Sequence, residues 1–171
     1  SWVTFAELLS KYFMSTGIGW TIVGLFACLM LGGLGSSKGL HISGSQAAGA
    51  LSEKPELFGR LFVIMALPAT QGLYSFVLAF LGMILLGFNQ GEPISIFRGL
   101  TLFFSFIFIG IVLYISAIYQ GKNSAAAINY TVRQPEKSGG ALLIPALVET
   151  YALLAFVAGF LLLVFIGGSA F

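Results

Sequence analysis

Glu149 is the one carboxylate placed in the middle of a long apolar segment, residues 141–166. The other five acids, Glu7, Glu53, Glu56, Glu92 and Glu136, lie near segment ends or in loops. An isolated charge at the bilayer centre costs about 2.5–3.5 kcal/mol on insertion scales, so Glu149 needs a partner or a use. Two other polar side chains on different spans fall at its height. Gln71 lies 16 residues beyond Pro55, Glu149 lies 14 beyond Pro135, and Gln120 lies 15 before Pro135. At about 1.5 Å of helical rise per residue, all three sit roughly 21–24 Å from the prolines. Thr70 precedes Gln71, and Leu67, Thr70, Gln71 and Tyr74 follow the i, i+3, i+4, i+7 pattern of one helical face. Pro68 lacks an N–H and its ring crowds the preceding turn, so the backbone there is expected to deform and present a carbonyl, such as that of Leu67. Pro145, four residues before Glu149, is expected to loosen span four in the same way.

The set is made of oxygen donors: one hydroxyl, two amide oxygens, one carbonyl and one carboxylate. Hard cations take oxygen ligands, whereas zinc and copper prefer nitrogen and sulfur. One negative charge suits one monovalent cation, with neutral oxygens replacing its hydration shell as carbonyls do in channel filters. Tyr74, one turn above, is placed to donate to the carboxylate. The same residues also fit a second reading, in which Thr70, Gln71 and Gln120 satisfy a protonated Glu149 and hold helices together.

These residues need helices through a membrane. The chain is 58% hydrophobic and only 8% charged, with a mean hydropathy of +0.99. Soluble domains carry about 25% charged residues, so this composition predicts an all-α integral membrane protein. Spans need about 20 mostly apolar residues, and the expected ones are 18–34, 61–88, 100–119 and 141–166. The net charge of +2 gives no footprint for nucleic acid. The single cysteine, Cys28, excludes an internal disulfide and reads as a small apolar helix residue. A cleaved signal peptide is rejected for the first span. In residues 1–16, Trp2, Phe5, Leu9 and Phe13 recur at near-helical spacing with Glu7 and Lys11 elsewhere, which suits a short interfacial helix or a frayed terminus.

Six of the eight basic residues (Lys38, Lys54, Arg60, Lys122, Arg133 and Lys137) surround the connections between spans one and two and between three and four. By the positive-inside rule both hairpin turns face the cytoplasm and both termini lie outside.

The second half repeats the first at a shift of 80. Pro55-Glu56 overlays Pro135-Glu136, Gly59 overlays Gly139, and Ile64, Ala66 and Leu67 overlay Ile144, Ala146 and Leu147. Thr70, Leu73, Phe76-Val77 and Phe80-Leu81 overlay Thr150, Leu153, Phe156-Val157 and Phe160-Leu161. The expected organisation is therefore an extension, 1–16, and two parallel tandem-duplicated hairpins, 17–90 and 91–171. Glu149 overlays Ala69, so two equivalent hairpins share one ionisable site.

Leu67-Pro68-Ala69-Thr70-Gln71-Gly72-Leu73-Tyr74 resembles the helix-two motif of the proteolipid subunits of V/A-type rotary ATPases. Val148-Glu149-Thr150-Tyr151-Ala152 resembles their helix-four motif, Gln120-Gly121-Lys122 the helix-three position, and Gly35-Ser36-Ser37-Lys38-Gly39 a helix-one motif. The resemblance covers the chain from about Gly17 onward and is nearest to the bacterial sodium-translocating branch. It implies a rotor ring of identical subunits that carries Na+ during ATP-driven rotation, in a bacterial cell membrane. The ion would be held by the Leu67 carbonyl, Thr70, Gln71, Gln120 and Glu149, with Tyr74 bonded to the carboxylate. It also implies a static membrane subunit with a buried arginine, central-stalk subunits at the cytoplasmic loops, and lipid partners. Proton-carrying relatives generally keep the glutamate without the full Thr-Gln-Gln set, so H+ is the alternative cargo. A small ATP-independent transporter is the other alternative. Losing one carboxylate per doubled unit halves the ions carried per turn and favours pumping.

Ala69 departs from a glycine common at that place. Phe103, Phe104, Phe106 and Phe108 on span three are expected to face lipid filling the ring. Small residues (Gly24, Gly32, Gly35, Gly39, Ala47, Ala48 and Ala50 on span one; Gly110, Ala117, Gly121, Ala125 and Ala127 on span three) fit either ring contacts or packing within the bundle. The glycine-rich run 32–39 lacks the Gly-Lys-Ser/Thr ending of a phosphate loop. Lone His41 reads as a loop or pore-wall residue. Asn129-Tyr130-Thr131 fits a glycosylation pattern but falls on the expected cytoplasmic side. No nucleophile–base–acid set appears, so catalysis is not expected of this chain.

Overall fold

A computed structural model describes residues 3–88 and 93–167; Trp2, Glu92 and the expected hairpin boundary at 90/91 lie outside the described residues. The element order is α1 (Phe5–Leu9), a π-helical turn (Ser10–Met14), α2 (Ile18–Glu53), a 3₁₀ turn (Pro55–Leu57), α3 (Phe58–Ala66), a 3₁₀ turn (Leu67–Ala69), α4 (Thr70–Leu85), α5 (Ile96–Arg133), a 3₁₀ turn (Pro135–Lys137), α6 (Ser138–Ala141) and α7 (Leu143–Gly167). Among the described residues four spans are long and apolar enough to cross a membrane: Ile18–Glu53, Pro55–Leu85, Ile96–Arg133 and Pro135–Ile166.

The spans exceed the apolar runs. Helices α2 and α5 have 36 and 38 residues, about 54–57 Å at 1.5 Å per residue and well beyond a hydrocarbon core of about 30 Å. The apolar run of span one stops at Leu34, but the helix continues through small and polar residues to Glu53. Close packing on α5 sustains it there. Both helices end at a proline that cannot extend the ladder, and the residue before each leaves the helical region: Lys54 has φ −134°, ψ 70° and Gln134 has φ −137°, ψ 72°. The two halves of the repeat therefore make the same turn. Lys54 Nζ donates to the Val132 carbonyl (2.8 Å), Arg60 to that of Pro135 (2.6 Å), and Gln46 Nε2 to Asn129 Oδ1 (2.6 Å), tying the two turns together.

Helices α2 and α5 form the central pair; α4 packs on α2, α7 packs on α5, and α4 meets α7. The central pair is close because glycine faces glycine. A Cβ on Gly121 would stand 2.4–2.8 Å from the Gly39 backbone, where no side-chain atom fits. Gly24, Gly32, Gly35, Gly39, Ala47, Gly110, Ala117, Gly121 and Ala127 are all buried inside the chain, so they serve bundle packing, whereas Ala48 is exposed.

The aromatic expectation for span three needs correction. Phe104 and Phe108 are 54% and 64% exposed, but Phe106 is 0% exposed and belongs to the core with Leu25, Cys28, Leu102 and Leu113. Phe103 lies over Gly24 and meets Trp20 edge-on at 5.3 Å. Four aromatics spread over six residues cannot share one side of an α-helix.

The first helix carries a capping box: Glu7 N–H donates to Thr4 Oγ1 (3.2 Å) and Thr4 N–H to Glu7 Oε2 (2.7 Å). Those contacts hold the Glu7 carboxyl below its ordinary value. Phe13 is fastened to α2: its carbonyl accepts from Trp20 Nε1 at 2.9 Å and the two rings pack edge-on at 5.5 Å. Phe5 and Leu9 stay exposed.

Candidate ion-binding site

Pro68 interrupts span two as expected. The chain passes from α3 into the 3₁₀ turn Leu67–Ala69 and back into helix at Thr70. A 3₁₀ turn advances more per residue than an α-helix, so it resets the rotation at which Thr70 and Gln71 leave the helix. The Leu67 carbonyl accepts the Thr70 N–H and lies 3.1 Å from Thr70 Oγ1.

Glu149 reaches this turn from α7. Thr70 Oγ1 donates to Glu149 Oε2 at 2.7 Å, Gln120 Nε2 donates to the same oxygen at 2.8 Å, and the Tyr74 phenol donates to Oε1 at 2.6 Å. All three donors are neutral. Gln71 Nε2 donates to Gln120 Oε1 at 2.7 Å, leaving Gln71 Oε1 3.2 Å from Thr70 Oγ1. Gln120 Nε2 also lies 3.3 Å from the Pro145 carbonyl. Gln71 and Gln120 are fully buried, while Thr70, Tyr74 and Glu149 are half-buried. Helices α4, α5 and α7 thus bring to one place every residue that the sequence placed at one height.

Two details differ from expectation. Gln120 turns its amide nitrogen, not its oxygen, toward the carboxylate, because a carboxylate accepts and does not donate. Span four breaks at Leu142, between α6 and α7, rather than beside Glu149. Pro145 is the third residue of α7, and its ring excludes the carbonyl four residues back, that of Ala141. The ladder opens one turn below, and the helix is continuous through Glu149.

Other singled-out residues stand apart from this cluster. Lys38 is exposed on α2 and bonds the Tyr114 hydroxyl, and Lys122 lies 5.1 Å from the Tyr119 ring centre. His41 is on α2 rather than in a loop and lines a groove with Ser37, Lys38, Ile42 and Ile118. Among the described residues no three His, Cys, Asp or Glu side chains gather as a metal site. Sequence reasoning missed Ser36, whose Oγ accepts the Gly72 N–H at 2.7 Å, and missed the Pro145 carbonyl.

The model of the ATP synthase C-subunit family matches this chain twice, at residues 23–82 and 103–162. The two matches are offset by 80 residues, the shift of the repeat. The chain belongs to this family. It is a proteolipid rotor subunit of an ion-translocating ATPase and an integral, multi-pass membrane protein. It is similar to V-type sodium ATPase subunit K of Enterococcus hirae, 37% identical over 146 residues that cover 85% of this chain and 91% of that protein. It is also similar to A-type ATP synthase subunit K of Methanocaldococcus jannaschii, 35% identical over 143 residues that cover 83% of this chain and 60% of that protein. Within the family, the doubled match makes this chain a two-hairpin member, and its sequence carries one mid-span carboxylate, Glu149.

Proposed function

We propose that this chain carries Na+ across a bacterial cell membrane, one ion per chain, as one unit of a ring of identical copies. The ion is held by the Leu67 carbonyl, Thr70, Gln71, Gln120 and Glu149, with Tyr74 fixing the carboxylate. One observation carries the reading. Three acceptor oxygens, from Leu67, Gln71 and Glu149, lie within 3.2 Å of Thr70 Oγ1, which has one proton to give. Acceptor oxygens so gathered suit a small hard cation. The sodium ATPase named for the Enterococcus relative supports the same cargo. A half-turn of the Gln120 amide would offer its oxygen in place of its nitrogen.

Loaded with Na+, Glu149 is neutral in sum and can pass lipid; unloaded, it must meet a positive partner, such as an arginine of the static subunit, or take a proton. That condition couples ring rotation to ion flux. The basic hairpin turns face the cytoplasm in this reading, toward the central stalk, with both termini outside. The apolar groove lined by Val112, Ile115, Tyr119, Val148 and Tyr151 would seat the neighbouring copy.

One contact favours a second reading, H+ as cargo: Gln120 already donates to Glu149 through nitrogen. Carbodiimide labelling of Glu149 separates the two. Sodium should protect Glu149 at fixed pH in purified oligomer, and sodium-22 should bind at one ion per chain, with neither effect in Glu149→Gln. Labelling that responds only to pH would remove the sodium reading.

A further inference from the structure

The break at Pro68 releases backbone groups on both sides, and two serines of α2 take them up. On the far side, Gly72 lies in the first turn of α4, where N–H groups have no partner within the helix. Its N–H donates to Ser36 Oγ at 2.7 Å. On the near side, the carbonyl of Met65 would serve Ala69 in an α-helix, but the 3₁₀ pattern sends each N–H only three residues back. Ser43 Oγ donates to that carbonyl at 2.8 Å, its shortest contact. Ser36 and Ser43 are seven residues apart on α2, and Met65 and Gly72 are seven apart on the antiparallel span. Both serines are buried, and Ser43 is fully so.

The duplication supplies an internal control. Val148 stands where Pro68 does, and α7 runs unbroken past it. Ser116, at the place of Ser36, turns to its own helix and donates to the Leu113 carbonyl at 3.1 Å. Asn123 replaces Ser43. Where the break is missing, Ser116 stays on its own helix.

We propose that Ser36 and Ser43 are positioning residues that hold the Pro68 break open, and so fix the Leu67 carbonyl, Thr70 and Gln71 in the arrangement that binds the ion. The two serines touch no ligand atom. They set the rise and rotation at which the ligands leave the helix. This inference rests on the ion-binding reading of the cluster.

The test is sodium-22 binding and the pH profile of carbodiimide labelling at Glu149, in purified oligomer. Ser36→Ala and Ser43→Ala should each weaken Na+ binding about tenfold, as expected when a buried backbone group loses its partner, while stoichiometry stays at one. Ser116→Ala should leave affinity unchanged. The deciding comparison uses Pro68→Ala, which restores an N–H at 68 and lets the α-helical ladder close, so that adding Ser36→Ala to it costs nothing more. Such non-additivity is the signature of coupled residues. Equal losses in both backgrounds, or unchanged binding in Ser36→Ala, would overturn the proposal. If Ser36→Ala does not assemble, Ser43→Ala against Pro68→Ala/Ser43→Ala makes the same comparison. If the unmodified protein binds no sodium, the ion reading fails by itself, and the labelling profile then decides. A shift in Ser36→Ala that vanishes in the Pro68→Ala background sustains the positioning role, and an unshifted profile ends it.

Discussion

Tyr74 on α4 donates its phenol proton to Oε1 of Glu149 on α7 at 2.6 Å, while its ring packs against Phe156 at 5.1 Å. The carboxylate is thereby anchored through one oxygen, while the other accepts from Thr70 and Gln120. Removing the hydroxyl alone should loosen the acid without emptying its site. Tyr74→Phe keeps the ring contact and is expected to weaken Na+ binding roughly tenfold, the loss of one charge-assisted hydrogen bond. A sodium-22 titration should show the weaker affinity at unchanged stoichiometry.

Thr70 is the hub at which the proposed ligand oxygens, from Leu67, Gln71 and Glu149, meet. Thr70→Val preserves shape and deletes the hydroxyl, leaving Glu149 Oε2 with Gln120 as its donor. Sodium protection of Glu149 against carbodiimide should fall by well over tenfold, because a ligand and a hydrogen bond are lost together. Labelling without sodium should persist. Labelling still protected at the original sodium concentration would contradict the assigned role.

Gly39 and Gly121 set the distance between α2 and α5. Gly121→Ala places a methyl group 2.4–2.8 Å from the backbone of Gly39, and such overpacking costs about 1–3 kcal/mol or more. Gly139→Ala, with nothing within 4 Å, is the control. A lower thermal midpoint in detergent is expected for the first variant and none for the second.

Phe106 and Phe108 test the corrected aromatic face. Phe106 is fully buried, so Phe106→Ala should destabilise by about 3–5 kcal/mol on the scale of large core truncations. Phe108, mostly exposed within the chain, should lose far less. Thermal unfolding of the two variants side by side measures the difference.

The first helix has a pH dependence of defined sign. Contacts with Thr4 depress the Glu7 carboxyl. A depressed acid adds its stability above the unfolded value and loses it as pH falls through the folded one. Amide exchange over residues 5–9 should therefore quicken, after correction for intrinsic rates, on acidification below the ordinary carboxylate range. Thr4→Ala should show the faster exchange at neutral pH.

The sequence by itself determined the membrane class, the doubled hairpin and the height of the polar residues. Apolar composition, a repeat at fixed shift and constant helical rise are one-dimensional properties, and each can be counted along the chain. The cluster around Glu149 was legible for the same reason: Leu67, Thr70, Gln71 and Tyr74 share a face by spacing, and Gln120 shares their depth. Rotation about each helix axis is different, because it is fixed by what packs against what. Only the tertiary structure decided that Phe106 points inward while Phe108 points out, that α2 continues past Leu34 because Gly39 meets Gly121, and that Gln120 shows nitrogen to the acid. It alone brought Ser36 and Ser43 to the two sides of the Pro68 break. A buried backbone group accepts whichever donor or acceptor the neighbouring helix presents, and that choice exists only once the helices are side by side.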